Sequence, residues 1–148
     1  MKLLIINGPN LNNLGKRDES IYGTKSLTDI NNVLTEIGQG MRIDLAFFQS
    51  NSEGEIVDFI QENFPQSDGI LINPGALAHY GFSLRDALAD TKLPIVEIHL
   101  SNIYAREEWR AKSVISPIAK GQITGLGWQG YIAALRLIAG ELRGETWE

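Results

Sequence analysis

The chain opens on a short, continuous apolar run, Lys2–Ile6, closed by Asn7-Gly8-Pro9. A run of that length bounded by turn residues predicts a buried strand. Residues 7–26 follow without any period and hold most of the early asparagine, glycine and charge. From Thr28 to Gly38, apolar residues recur at Ile30, Val33, Leu34 and Ile37, the spacing of one helix face. Met41–Phe48 returns to a strand-like apolar run. Ser52-Glu53-Gly54-Glu55 has the form of a capping box, in which serine hydroxyl and glutamate carboxylate satisfy the first free amides of a helix. Ile56, Phe59, Ile60 and Phe64 give that helix an apolar face, and Pro65 follows its end.

The alternation continues. Gly69–Ile72 reads as a third strand, stopped by Asn73-Pro74-Gly75, and Phe82–Ala89 as a helix. Leu93–Leu100 is a fourth strand and Ala105–Lys112 a short helix. Gly121–Thr124 is a fifth strand, and Gly127–Leu142 a long final helix. Strands alternating with helices predict a parallel sheet covered on both faces. Five strands point to a flavodoxin-like open α/β sheet, with residues 1–148 as one catalytic domain. In such sheets ligands sit outside the carboxyl ends of the strands. Three polar clusters fall at those ends: Asn7–Tyr22, Asn73–His79 and Glu97–Asn102.

Composition narrows the chemistry. Lys and Arg number 13 against 18 Asp and Glu, a net charge of −5. A net-negative chain is a poor general partner for nucleic acid or an anionic membrane, although converging arginines can still bind a small anion. Cysteine is absent, which excludes disulfides, thiolate nucleophiles and cysteine-ligated metals. Two histidines, His79 and His99, cannot build an all-histidine zinc site. No apolar run approaches the ~20 residues of a membrane span, and the first residues lack the pattern of a secretory leader. The expectation is a cytoplasmic protein.

Two motif matches fail on context. Gly125-Leu126-Gly127-Trp128-Gln129-Gly130 fits G-x-G-x-x-G, but dinucleotide binding also needs a following strand with an acidic residue. Only a terminal helix remains, so these glycines are read as close helix–sheet packing. Gly8–Lys16 resembles a phosphate loop, yet six residues separate Gly8 from Gly15 where four are required, and Arg17 replaces the magnesium-binding Ser or Thr.

The first loop is long enough to be a lid, with Gly15 and Gly23 bracketing a segment that could hinge over the crevice. Taken alone, Lys16 and Arg17 read equally as a solvated pair, and Tyr22 as a half-buried ring with a bonded hydroxyl. A free phenol, with a pKa of ~10, is a poor base at neutral pH, but a guanidinium a few ångströms away favours the phenolate. Arg17 lies five residues before Tyr22, within reach. Glu97 and His99 are two apart on a strand and point to one face. A carboxylate beside an imidazole fixes its tautomer and suits a general acid. Glu97 within an apolar strand itself needs a partner, and the amides of Leu100 and Ser101 at the strand end could bind an anion. Arg106 and Arg110 are spaced i,i+4 on the expected helix; like charges there point to an anionic ligand or carboxylate partner, or to exposed surface.

Together these segments closely resemble the type II 3-dehydroquinate dehydratases, the small dehydroquinases of the shikimate pathway. The resemblance rests on IINGPNLNNLGKRDESIYG, FFQSNSEGEIVDFIQ, ILINPGALAH with LRDAL, and PIVEIHLSNIYAREEWRAKSVISPIAKGQITGLGWQGYIAAL. These cover nearly the whole chain, and NGPNLN with EIHLSN and AREEWR is highly specific. Residues 78–83, Ala-His-Tyr-Gly-Phe-Ser, depart from the commoner Thr-His-Thr-Ser pattern but leave His79 and Asp86 in place.

The resemblance implies a flavodoxin-like fold and elimination of water from 3-dehydroquinate to give 3-dehydroshikimate, with no cofactor, metal or Schiff base. Lys16, Lys25, Lys92, Lys112 and Lys120 lie in polar surroundings, unlike the desolvated lysine of a Schiff-base route. Carried over residue by residue, Tyr22 is the base, Arg17 on a mobile lid keeps it ionised, and Asn10 holds a water on the enolate oxygen. His99 is the acid, oriented by Glu97. Asn73, His79, Leu100, Ser101 and Arg110 grip the anionic substrate. Asp86 corresponds to a contact supplied to a neighbouring subunit, implying a homo-oligomer, a dodecamer built from trimers. The alternative is a flavodoxin-like flavin-binding or signalling module.

Overall fold

In the computed structural model, which describes residues 1–145, the five strands are β1 (Lys2–Asn7), β2 (Asp44–Gln49), β3 (Gly69–Asn73), β4 (Ile95–His99) and β5 (Gly121–Thr124). All pair in parallel, in the order β2-β1-β3-β4-β5. Between them run α1 (Glu19–Tyr22), α2 (Leu27–Gly40), α3 (Glu53–Asn63), α4 (Phe82–Thr91) and, after β5, α5 (Gln129–Leu142). This is the flavodoxin-like order expected from the alternation of elements.

The continuous apolar run of β1 has a direct cause: both faces of the sheet are covered. Leu3 and Ile5 point into one layer with Ile30 and Leu34 of α2 and Tyr131, Leu135 and Ile138 of α5. Leu4 and Ile6 point into the other, with Ile56 and Ile60 of α3 and Leu84 and Leu88 of α4. All four β1 side chains are fully buried. Fully burying an aliphatic side chain of this size contributes about 1.5–3 kcal/mol, so β1 anchors both layers.

From β1 the chain runs outward to β2 on one side and then to β3 on the other, so a crevice opens between the carboxyl ends of β1 and β3. Their last residues, Asn7 and Asn73, are register partners. The amide of Gly8 donates to the carbonyl of Asn73 at 2.8 Å. A Cβ on residue 8 would lie 2.3 Å from the carbonyl oxygen of Pro74. The Gly in Asn-Gly-Pro therefore permits the close approach of the two loops that floors the crevice.

The element boundaries differ from the sequence reading where side chains take over backbone bonds. Helix α2 starts at Leu27 because Ser26 and Asp29 form a full capping box: the amide of Asp29 donates to Ser26 Oγ and that of Ser26 to Asp29 Oδ2. The box expected at Ser52 is half formed. The amide of Glu55 reaches Ser52 Oγ, but the Glu55 carboxylate is taken by the Ser50 hydroxyl. Strand β2 begins at Asp44 because Met41 closes α2 and Arg42 turns the chain at a φ of 56°. The short helix expected over Ala105–Lys112 is instead two 3-10 turns, Ile103–Ala105 and Glu108–Ala111. The stretch lacks an apolar face, since Tyr104 and Trp109 are exposed, and Arg106 between the turns is extended. The G-x-G-x-x-G match resolves as packing: Gly130 in α5 lies against Ile98 and Ile123 of the sheet. Among the described residues no helix is long and apolar enough to cross a membrane.

Candidate active site

The first loop reaches the crevice through one turn of helix. Asp18 caps α1 by accepting from the amide and hydroxyl of Ser20, and these bonds hold its carboxyl below the usual carboxylate range. Tyr22 ends that turn. The segment is bracketed by Gly15 and Gly23, both in the left-handed region, at φ values of 89° and 76°. Arg17 Nη2 donates to the Tyr22 hydroxyl at 2.9 Å, and its guanidinium carbon lies 3.7 Å from the centre of the tyrosine ring. Arg106 Nη2 donates to the same oxygen, also at 2.9 Å, and Arg106 Nη1 to Ser101 Oγ at 3.0 Å. Two guanidiniums thus converge on one phenol oxygen.

Across the crevice, β4 carries the opposite pole. The strand period places Glu97 and His99 on one face, and His99 Nε2 lies 3.0 Å from Glu97 Oε1. Both are buried. Burial alone pushes the Glu97 carboxyl up, but hydrogen bonds from His99, Ser116 and Ser113 outweigh it and hold the group below its ordinary value. A carboxylate at Nε2 leaves Nδ1 as the ring nitrogen free for a ligand.

The floor is a buried polar chain. Tyr131 donates to Asn7 Oδ1 at 2.5 Å and accepts from Asn73 Nδ2 at 3.0 Å, while Asn73 Oδ1 accepts from the amide of Gly75 at 3.2 Å. Burial drives the Tyr131 phenol far above its ordinary range, so it stays neutral. His79 Nδ1 lies 2.7 Å from the carbonyl of Lys112, and its ring stacks toward His99 with centroids 6.4 Å apart.

One cavity of about 120 Å³ joins these groups. Asn10, Arg17, Tyr22, Asn73, His79, His99, Leu100, Ser101 and Arg110 all line it, so nine of the site residues expected from the sequence share a single cleft. Glu97 stands behind His99 rather than in the wall. Asp86 lies elsewhere: its side chain is exposed beside Arg85, on a second concavity with His79, Phe82 and Lys112. Arg106 is the functional residue the sequence reading left out of the site, although it noted the Arg106/Arg110 pair as a candidate anion contact. The two arginines do line the cleft together, but from consecutive turns rather than one helix face. Arg110 is held by an ion pair with Glu107. Among the described residues no group of three or more His, Asp or Glu side chains is placed to hold a metal ion.

The arrangement has a phenol oxygen bonded by two guanidiniums, an imidazole held by a carboxylate, and arginines for an anionic ligand. The dehydroquinase class II family pattern matches residues 1–139. The chain belongs to that family. The 3-dehydroquinate dehydratase of Bacillus licheniformis is 53% identical over 133 residues, covering 90% of this chain and 92% of that one. That of Bacillus subtilis is 51% identical over 143 residues, covering 97% of both. The crystal structure of the type II dehydroquinase from Butyrivibrio crossotus matches with a TM-score of 0.91 at 46% identity, covering 93% of this chain and 97% of that one. This dehydroquinase is therefore a lyase by family, and the flavin-binding or signalling alternative is not favoured.

Proposed function

We propose that this dehydroquinase eliminates water from 3-dehydroquinate to give 3-dehydroshikimate through an enolate. The Tyr22 phenolate removes a proton from the carbon beside the ketone, and the electron pair of that C–H bond moves onto the ketone oxygen. Arg17 and Arg106 hold Tyr22 in its basic form. Asn10 positions a water that hydrogen-bonds the enolate oxygen. The enolate then collapses, its electrons form the C=C bond, and the β-hydroxyl leaves with a proton from His99, which Glu97 orients. Asn73, His79, Ser101, the amides of Leu100 and Ser101, and Arg110 bind the substrate hydroxyls and carboxylate.

The observation that carries this reading is the pair of 2.9 Å bonds from Arg17 and Arg106 to one phenol oxygen in the cleft that also holds His99. A β-hydroxy ketone loses water fastest when base, enolate stabiliser and acid occupy separate positions. A direct test is ultraviolet absorbance of the conjugated enone on mixing purified protein with 3-dehydroquinate. Absorbance should rise in proportion to enzyme added; no rise would overturn the reading.

The position of Asp86, exposed and outside its own cleft, supports a role in a neighbouring subunit's site. The proposed assembly is a homo-oligomer, a dodecamer of trimers, working in the cytoplasm. Light scattering on the eluted enzyme should give a mass many times that of one chain, and an active monomer would refute the shared site.

A further inference from the structure

The acid pole rests on a group of side chains that the proposed mechanism does not otherwise use. Glu97 is fully buried, and its carboxylate accepts four hydrogen bonds. His99 Nε2 and Ser113 Oγ donate to Oε1, at 3.0 and 2.7 Å. Ser116 Oγ and Gln122 Nε2 donate to Oε2, the latter at 2.9 Å. An ionised carboxylate has about four acceptor sites, and here all are filled.

The direction of each proton is fixed by a second bond. Ser113 Oγ accepts from the amides of Ile115 and Ser116, so its one hydrogen goes to Glu97. Ser116 Oγ accepts from Gln122 Nε2 at 2.9 Å, so its hydrogen also goes to Glu97. The Gln122 amide could face either way were it alone. The acceptor-only carboxylate of Glu97 turns the NH₂ group toward itself and Ser116, and the Tyr104 hydroxyl donates to Gln122 Oε1 at 2.8 Å and holds the amide in that orientation. Three of the four bonds come from groups that can only donate here, which favours the carboxylate form, and a carboxylate at this place obliges His99 Nε2 to carry hydrogen.

We infer that Gln122, oriented by Tyr104, is a positioning residue for the acid His99, acting through Glu97. The inference rests on His99 being the acid of the proposed dehydration. The groups facing Glu97 are few. Its own strand offers His99, β3 offers Ile72 in register, β5 offers Gln122, and the loop before β5 offers Ser113 and Ser116. His79 is the next titratable ring, beyond His99, and Lys120 at the start of β5 is paired with Glu141. His99 is thus the one titratable side chain bonded to Glu97, and the neutral donors of Ser113, Ser116 and Gln122 fill the rest of its carboxylate.

The test compares Gln122→Leu and Tyr104→Phe with the wild type across pH, with 3-dehydroquinate as substrate. Gln122→Leu should lower kcat about 10-fold, a fraction of what a general acid supplies, with KM within about twofold. On the acid side its kcat should begin to fall at a higher pH than in the wild type, because Glu97 then takes a proton more readily. The carboxyl carbon-13 signal of Glu97 should titrate upward in step. Tyr104→Phe, at an exposed ring that does not endanger folding, should shift both readouts the same way by less. Wild-type kcat and an unmoved carboxyl signal in folded Gln122→Leu or Tyr104→Phe would overturn the inference. An inactive wild type would instead overturn the proposed reaction.

Discussion

Tyr131→Phe removes one oxygen from the floor of the cleft and nothing else. Its hydroxyl links Asn7 and Asn73, which are 1% and 3% exposed. Without it, Asn7 Oδ1 loses its donor and Asn73 Nδ2 its acceptor, both where water is excluded. A buried polar atom left unpaired costs about 1–3 kcal/mol, so two such atoms predict a loss of roughly 2–6 kcal/mol. At about 2–4 °C per kcal/mol for a domain of this size, Tm should fall by at least about 4 °C. Urea titration followed by circular dichroism, at one fixed protein concentration, measures the loss. The same variant frees the Asn73 amide, so KM for 3-dehydroquinate should rise more than kcat falls. A stability change below about 0.5 kcal/mol would refute the reasoning, because it would mean that the two asparagines find other partners without strain.

Two further outcomes follow from the poles of the cleft. Arg17→Ala and Arg106→Ala should each lower kcat by at least about 100-fold, the lower end of what proton abstraction by a positioned group supplies; if Arg106→Ala turns over normally, the second guanidinium is not part of the base. Glu97 has a pKa below its unfolded value, so its contribution to stability is present above the ordinary carboxylate range of about 4.3 and is lost as pH falls through the lowered value. The stability margin of wild type over Glu97→Gln should therefore be widest near pH 7 and shrink below about pH 4, whereas a margin independent of pH would contradict an ionised Glu97.

Much of the fold was legible because burial on two faces leaves an unambiguous trace. The run Lys2–Ile6 read as a buried strand, and the sheet order puts it next to the middle. Asn7-Gly8-Pro9 marked the end of the first strand, but the close approach of Gly8 to Pro74 is a property of the fold. What escaped the sequence was non-local or side-chain in origin. Arg106 reaches Tyr22 across 84 positions of sequence, and its spacing from Arg110 hints at an anion but not at a phenol. Its neighbours lack an apolar face, which explains why spacing that resembles a helix yields two turns. The cap at Ser26 was missed because its third residue is Asp rather than the usual Glu or Gln. The Glu55 carboxylate was misassigned because Ser50, outside the motif, competes for it. In the site, Glu97 and His99 were readable from strand alternation, while Gln122 and the two serines come from a different strand and loop.

The central claim is that residue 22 is the group that takes the carbon-bound proton. The most direct measurement is the turnover of Tyr22→Phe, followed by enone absorbance, with circular dichroism and thermal melting alongside to show an intact fold. Replacing the phenol leaves the ring, the two arginines and His99 in place, so turnover should drop by about 100-fold or more with substrate still bound. A folded Tyr22→Phe enzyme that works at close to the wild-type rate would contradict the account.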